Sequence, residues 1–366
     1  MARRSTEPSM PVELLGKSIE ELREYVASLG EAPYRAKQIY RAIYAERRFG
    51  FALMTNLPVA LRARLYAEAR ISAPGVVRRF PSADGSVRYL MALGTDSARA
   101  SQIEAVFMPS EGRQTICIST QAGCAVDCHF CLTAQLGLIR NLTAGEIVGQ
   151  VLIALSENAA ALAPRTNIVL MGQGEPLLNY EPVMATVRIM LDAEGMGITP
   201  RHVTLSTSGI VPGIERLARE PVRPKLAISL NASTDEQRDA VMPINRKYPI
   251  AMLLDACRRY PLRTWERLTF EYVLLGGVND APEDARRVAR LIANLRAKVN
   301  LIPWNPGALP YRAPEAARVE EFRRVLTDKG VSAFVRLSRG QDVFAACGQL
   351  ALLEFSATAL PVLPIS

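Results

Sequence analysis

From residue 115 onward the chain repeats one rhythm: a β-type run, a loop, then a stretch of helical periodicity. That repetition constrains the fold more than any other feature. The strands it predicts are 115–119 (TICIS), 167–171 (NIVLM), 202–206 (HVTLS), 225–229 (KLAIS), 268–275 (LTFEYVLL) and 299–303 (VNLIP). Helical patterns fill the intervals around 145–160, 182–193, 213–219, 250–259, 283–296 and 314–328. Thr143-x-x-Glu146 caps the first, and Thr234-x-x-Gln237 opens an additional turn. Six βα units in a row predict a parallel sheet wound into a barrel or part of one, because a parallel neighbour is reached only by a crossover. A further strand-like run, 331–337 (VSAFVRL), precedes a Gly-containing loop. In such folds chemistry gathers on loops at the C-terminal ends of the strands.

Upstream the pattern differs. Residues 1–11 read as a polar, disordered tail. Over 12–74 the sequence predicts a small helical domain: Ser18-Ile-Glu-Glu21 opens a helix that ends near Gly30, and Pro33 and Pro58 start two more. Residues 75–110 alternate apolar and polar around Asp84-Gly85, which predicts a β-hairpin linker into the main domain over 111–350. Residues 351–366 form a C-terminal tail. Residues 1–90 hold 15 Arg and Lys against 9 Asp and Glu, so most of the formal +8 charge sits there. A basic helical face suits a polyanion, although a solvated surface has the same composition.

The loop after the first strand reads Cys124-Ala-Val-Asp-Cys128-His-Phe-Cys131. Three thiols so close can converge on a soft centre, an iron–sulfur cluster or zinc. Three ligands leave one metal corner open, as catalysis requires. A structural Cys₃His zinc site using His129 is the rival. With six cysteines in 366 residues, an apolar fraction of 49% and no apolar run of membrane length, the chain reads as a soluble protein of a reducing cytoplasm.

The Cys-x₃-Cys-x₂-Cys spacing, with Phe130 before the last cysteine, resembles the signature of radical S-adenosylmethionine (SAM) enzymes. The longer run from Gln121-Ala-Gly-Cys124 to Arg140-Asn-Leu-Thr143-Ala-Gly-Glu146-Ile resembles the bacterial RNA adenine-C2 methyltransferases, the RlmN family. The resemblance implies an α/β fold: a partial (β/α)₆ barrel with a small N-terminal helical domain. It implies that Cys124, Cys128 and Cys131 hold a [4Fe–4S] cluster whose open iron binds SAM. Gly172-Gln-Gly174-Glu175-Pro176 is similar to the family's Gly-x-Gly-Glu-Pro, which meets the amino group of SAM. Ser206, Ser229-Leu230-Asn231 and Asn305 end later strands and by resemblance contact its ribose, carboxylate and adenine. Asn231 stands where the family usually has His, and Gly307 where Phe is typical.

The same resemblance gives roles to three more residues. Cys347, in Ala-Cys-Gly-Gln-Leu, matches the cysteine that is methylated and carries the carbon; Cys117 matches the one that resolves the adduct through a transient disulfide; Glu104 matches the general base. Cys257 matches nothing functional and reads as core. The implied activity is methylation at carbon 2 of an adenine in 23S ribosomal RNA, at the peptidyl transferase centre, and in transfer RNA beside the anticodon. It consumes two SAM per turnover and takes electrons from a flavodoxin or ferredoxin system, with the protein acting as a monomer. A relative of the Cfr type, acting at carbon 8, and a basic RNA-binding protein with structural zinc are the alternatives.

Overall fold

The computed structural model describes residues 10–94 and 102–351. The tail expected at 1–11 is outside them up to residue 9, and the C-terminal tail from residue 352.

The N-terminal part comprises β1 (Val12–Glu13), α1 (Ile19–Ser28), α2 (Tyr34–Tyr44), α3 (Val59–Glu68) and β2 (Ala69–Arg70), with β1 and β2 paired in parallel. Its starts follow the sequence signals. Ser18 and Glu21 form the reciprocal capping box of α1, and Pro33 and Pro58 immediately precede α2 and α3. Leu22, Val26, Ile39, Ile43, Leu61 and Leu65 share one buried cluster with Val148, Leu152 and Ile189 of the barrel helices. The helical part therefore has its core in common with the barrel's outer layer.

Next come β3 (Gly75–Pro81), β4 (Val87–Ala92), β5 (Gln102–Ser110) and β6 (Arg113–Cys117), each antiparallel to its predecessor. The hairpin expected at 75–110 is thus three strands of the main sheet. The reason is visible in β5, where Ile103, Ala105 and Phe107 enter the main core while Val106, pointing the other way, packs with Cys117. Both faces are covered, so the stretch cannot stand as a free connection.

A small antiparallel hairpin, β7 (Gln121–Gly123) and β8 (Leu138–Asn141), then brackets the cysteine loop. The winding continues as α4 (Ala144–Glu157), β9 (Arg165–Leu170), α5 (Tyr180–Leu191), β10 (Val203–Thr207), α6 (Val211–Ala218), β11 (Lys225–Ser229), α7 (Asp235–Val241) and α8 (Ile250–Arg259). It ends with β12 (Leu268–Leu274), α9 (Pro282–Ile292), β13 (Ala297–Pro303), α10 (Ala316–Asp328) and β14 (Ala333–Val335). The ten-stranded sheet has the order β14-β13-β12-β11-β10-β9-β6-β5-β4-β3, parallel from β6 to β14. Apolar residues on the outer face of the strands meet α4, α5, α6, α8, α9 and α10 in the main core, which includes Cys257. The concave face is left for polar groups. No helix among the described residues is long and apolar enough to cross a membrane.

Candidate active site

At the C-terminal ends of the parallel strands lies an open cavity. Its wall includes Cys124, Cys128, Cys131, Gly174, Glu175, Ser206, Ser229, Asn231, Asn305 and Cys347.

The cysteine loop owes its shape to the β7–β8 hairpin. Gly123 has φ +73° and lies so close to the Gly137 carbonyl that a Cβ there would collide with it. Cys124 N then donates to Gly137 O at 2.9 Å, and Cys131 N closes a turn on Cys128 O at 3.0 Å. His129 N donates to Val241 O at 3.0 Å, and its ring Nδ1 lies 2.8 Å from Ala240 O, so the loop rests on the end of α7. Among the described residues no three His, Cys, Asp or Glu side chains converge closely enough to share one ion. A single zinc needs sulfurs within roughly 4 Å of one another, and His129 is engaged elsewhere. A cubane presents a separate iron to each thiolate, and three thiols of one loop lining one cavity suit that demand. Burial raises all three thiols, Cys124 to about 12, so the free sulfurs are protonated until a metal displaces the proton.

Gly174, at φ +99°, approaches Gln121 more closely than any side chain would allow. Glu175 is buried, and its two carboxylate oxygens accept from Ser208 N at 2.7 Å and Leu177 N at 3.0 Å. Burial pushes its pKa up against those hydrogen bonds. Asn231 adopts φ +56°, which Asn tolerates better than most residues; its Oδ1 accepts from Val273 N at 2.8 Å. Leu230 is apart from the wall: its side chain is in the core, and its amide donates to Glu271 O at 3.0 Å.

Asn305 bridges two segments. Its Nδ2 donates to Cys347 O at 3.0 Å and its Oδ1 accepts from Gln341 at 2.9 Å. The Cys347 loop is also tied to the cysteine loop, by Leu132 N to Gly348 O at 2.8 Å and Thr133 Oγ1 to Leu350 O at 2.6 Å. Cys347 is exposed to the cavity, and crowding by protein atoms raises its thiol to about 11. Cys117 lies just behind the wall, packed with Val343, Ala345 and Leu350 of the same loop. Burial lifts its thiol far above the ordinary value, and the nearby Cys347 adds to the effect. All six cysteines are free thiols.

Glu104 is not in the wall. It is fully buried, paired with the equally buried Arg88, and reaches the site through Gln173 Nε2 at 3.4 Å. Sequence reasoning missed Arg238, a buried cation of α7 that donates to Ser208 O, Ser229 O and Leu230 O and so ties the ends of β10 and β11 beneath Cys128. Its place in a helix gave no signal of this. Of the basic residues in the helical part, Lys37 and Arg41 hold Glu194 at 3.0 and 2.6 Å, and Arg48 donates to Leu53 O.

Residues 118–292 match the Radical SAM superfamily, and residues 12–71 match the ribosomal RNA large subunit methyltransferase N-terminal domain. The probable dual-specificity RNA methyltransferase RlmN of Koribacter versatilis is 47% identical over 344 residues, 89% of this chain and 98% of that protein. The dual-specificity RNA methyltransferase RlmN of Anaeromyxobacter dehalogenans is 48% identical, over 91% and 90% of the two chains. The chain belongs to the RlmN family. A crystal structure of a radical SAM methyltransferase from Sphaerobacter thermophilus superposes with a TM-score of 0.87 at 45% identity, covering 93% of this chain and 99% of that one. Membership in a radical-SAM family implies a [4Fe–4S] cluster and SAM.

Proposed function

We propose that this RlmN-family protein methylates carbon 2 of an adenine in 23S ribosomal RNA and in transfer RNA, with Cys347 as the carbon carrier. The observation that carries the reading is the joining of the two cysteine sets. Cys347 shares one cavity with Cys124, Cys128 and Cys131, bound to their loop through Leu132 and Thr133, while Cys117 packs against the same segment from behind. Carbon 2 of adenine is electrophilic, so a direct polar methyl transfer from SAM cannot reach it. Cys124, Cys128 and Cys131 would hold the cluster, and Gly174, Glu175, Ser206, Ser229, the Leu230–Asn231 backbone and Asn305 would form the SAM pocket. The cluster with SAM supplies an electron and a radical able to abstract hydrogen from a methyl group.

The Cys347 thiolate takes a methyl group from one SAM and, after hydrogen abstraction from it, bonds through that carbon to C2. A base, Glu104 acting by way of Gln173 or else Cys117, accepts the proton lost from C2, and the cluster would take back the one electron that leaves with it. The Cys117 thiolate then attacks the Cys347 sulfur, the carbon–sulfur bond breaks, and its electron pair takes a proton to complete the new methyl group. The Cys117–Cys347 disulfide so formed must be reduced before the next cycle, and two SAM are spent per turnover. A flavodoxin or ferredoxin fits the one-electron demand, and nothing in the scheme needs more than one subunit. The substrate adenine leaves its stack to enter the cavity.

Anaerobic turnover with SAM and unmodified RNA, followed by nucleoside mass spectrometry, tests this. 2-Methyladenosine is the expected product. 8-Methyladenosine would reassign the chemistry to the other carbon, and an unmodified nucleoside would defeat the proposal.

A further inference from the structure

The concave face of the sheet continues below the cavity, and alternation along the strands identifies what it carries. Ser229, Glu271 and Ile302 face the site. Four residues earlier stand Lys225 and Lys298 on the same face, about 13 Å further down their strands, and Arg267 immediately before β12. On the neighbouring edge strand, Phe334 is half exposed with the Lys298 ammonium 5.8 Å from its ring, and Arg336 follows on the same face. Among the described residues none of these four cations forms an ion pair. Arg267 reaches only the Ser332 hydroxyl, at 3.4 Å. The acids turned toward them are Glu271, bonded to Asn300, and Glu266, shared by Arg223 and Arg263.

Burial and mutual repulsion lower the pKa of both Lys225 and Lys298. Like charges held together on a half-buried concave surface raise the free energy of the folded chain unless an anion lies across them. Glu271, four residues up the strand from Arg267, lines the same cavity as Cys347, so the patch adjoins the wall that holds the carbon-carrying thiol.

We propose that this floor, formed by Lys225, Arg267, Lys298 and Arg336 with Phe334 at its edge, binds the phosphate backbone of the RNA that flanks the target adenine. The inference rests on the RNA methyltransferase reading. RNA is favoured over an acidic electron-transfer protein because the patch is concave, approaches Cys347, and offers an exposed aromatic ring on which an unstacked base can lie.

The test uses the iron–sulfur-loaded full chain and unmodified 23S rRNA and tRNA transcripts, titrated from 50 to 300 mM salt. Lys225→Gln/Arg267→Gln/Lys298→Gln should lower the slope of log K against log salt by about 2, since each lost phosphate contact removes roughly 0.7–0.9. Phe334→Ala should weaken binding about fivefold or more with the slope intact. The Lys225→Arg/Lys298→Arg variant keeps the charge and should bind as the parent does, which separates loss of charge from loss of folding. An unchanged slope in the triple Gln variant overturns the inference. So does unchanged RNA binding together with lost reduction by a flavodoxin, which would make the patch a reductant dock. Absence of RNA binding by the parent protein would strike the proposed function itself.

Discussion

Arg339 Nε donates to the Asp84 carboxylate at 2.7 Å across a separation of 255 residues. The same carboxylate accepts from Gly340 N at 3.0 Å, and Asp342 accepts from Ser82 Oγ at 2.6 Å and Ala83 N at 3.0 Å. The β3–β4 turn thereby grips the start of the segment that ends in Cys347. Asp84→Ala should loosen that segment and slow methyl transfer to Cys347 at least tenfold, while iron content stays unchanged. Limited proteolysis should cut the variant first between β14 and Cys347. A cleavage pattern and rate equal to the parent's would remove the clamp from the mechanism.

The clamp also carries a pH dependence. Burial alone would raise the Asp84 carboxyl, but hydrogen bonds from Ser86, Gly340 and Arg339 outweigh it and hold the pKa well below the usual carboxylate value. A carboxylate with a depressed folded-state pKa stabilises fully above the unfolded value near 3.8 and loses that contribution as pH falls toward the folded one. The melting difference between the parent and Asp84→Asn should be constant from pH 7 to 5 and shrink below pH 4. A difference that widens in acid would contradict this sign.

Much of this arrangement was legible in advance. The capping patterns at Ser18, Thr143 and Thr234 mark real helix starts, because a cap is a local contract between residues three apart. The parallel strands lie within two residues of expectation, since short β-type runs bounded by turn residues mark them. The long-range relationships were not legible. Nothing near Asp84 in sequence points to Arg339, nothing near Glu104 points to Arg88, and a turn signal at Asp84-Gly85 looks the same in a free hairpin as in the edge of a larger sheet. Lys37 and Arg41 belong to the basic helical region, and only the fold brings Glu194 to them.

The Arg88–Glu104 pair is fully buried. Replacing Glu104 by Gln takes the carboxylate away from the buried Arg88 guanidinium and should cost about 3–5 kcal/mol in chemical denaturation. The double variant Glu104→Gln/Arg88→Met should recover a large part of that loss. If Glu104→Gln unfolds at the parent's denaturant midpoint, the pair does not carry the stability assigned to it.

Cys124→Ala, Cys128→Ala and Cys131→Ala should each abolish cluster absorbance, because each removes one of only three thiols that the Cys124–Cys131 loop brings to the cavity wall. The Gly123→Ala change should act on the same absorbance indirectly, by forcing the β7–β8 hairpin away from the Gly137 carbonyl. Near-parent iron in any of the cysteine variants would exclude that residue as a ligand.

The two remaining cysteines of the site are separated by the order of bond making. Cys347 is the exposed thiol in the cavity, and Cys117 is buried behind it. If Cys347 carries the carbon, Cys347→Ala has no site for methylation and no link to RNA at any stage. If Cys117 resolves, Cys117→Ala still receives the methyl group and still bonds to the ring, then stalls, because thiol attack is the step that breaks the carbon–sulfur bond. A covalent protein–RNA adduct should accumulate in Cys117→Ala and be absent from Cys347→Ala and the double variant. A denaturing gel with labelled RNA would display it, and reductant would not release it, since the link is a thioether. An adduct in Cys347→Ala instead would reverse the two roles, and none in either variant would exclude a methyl-cysteine route.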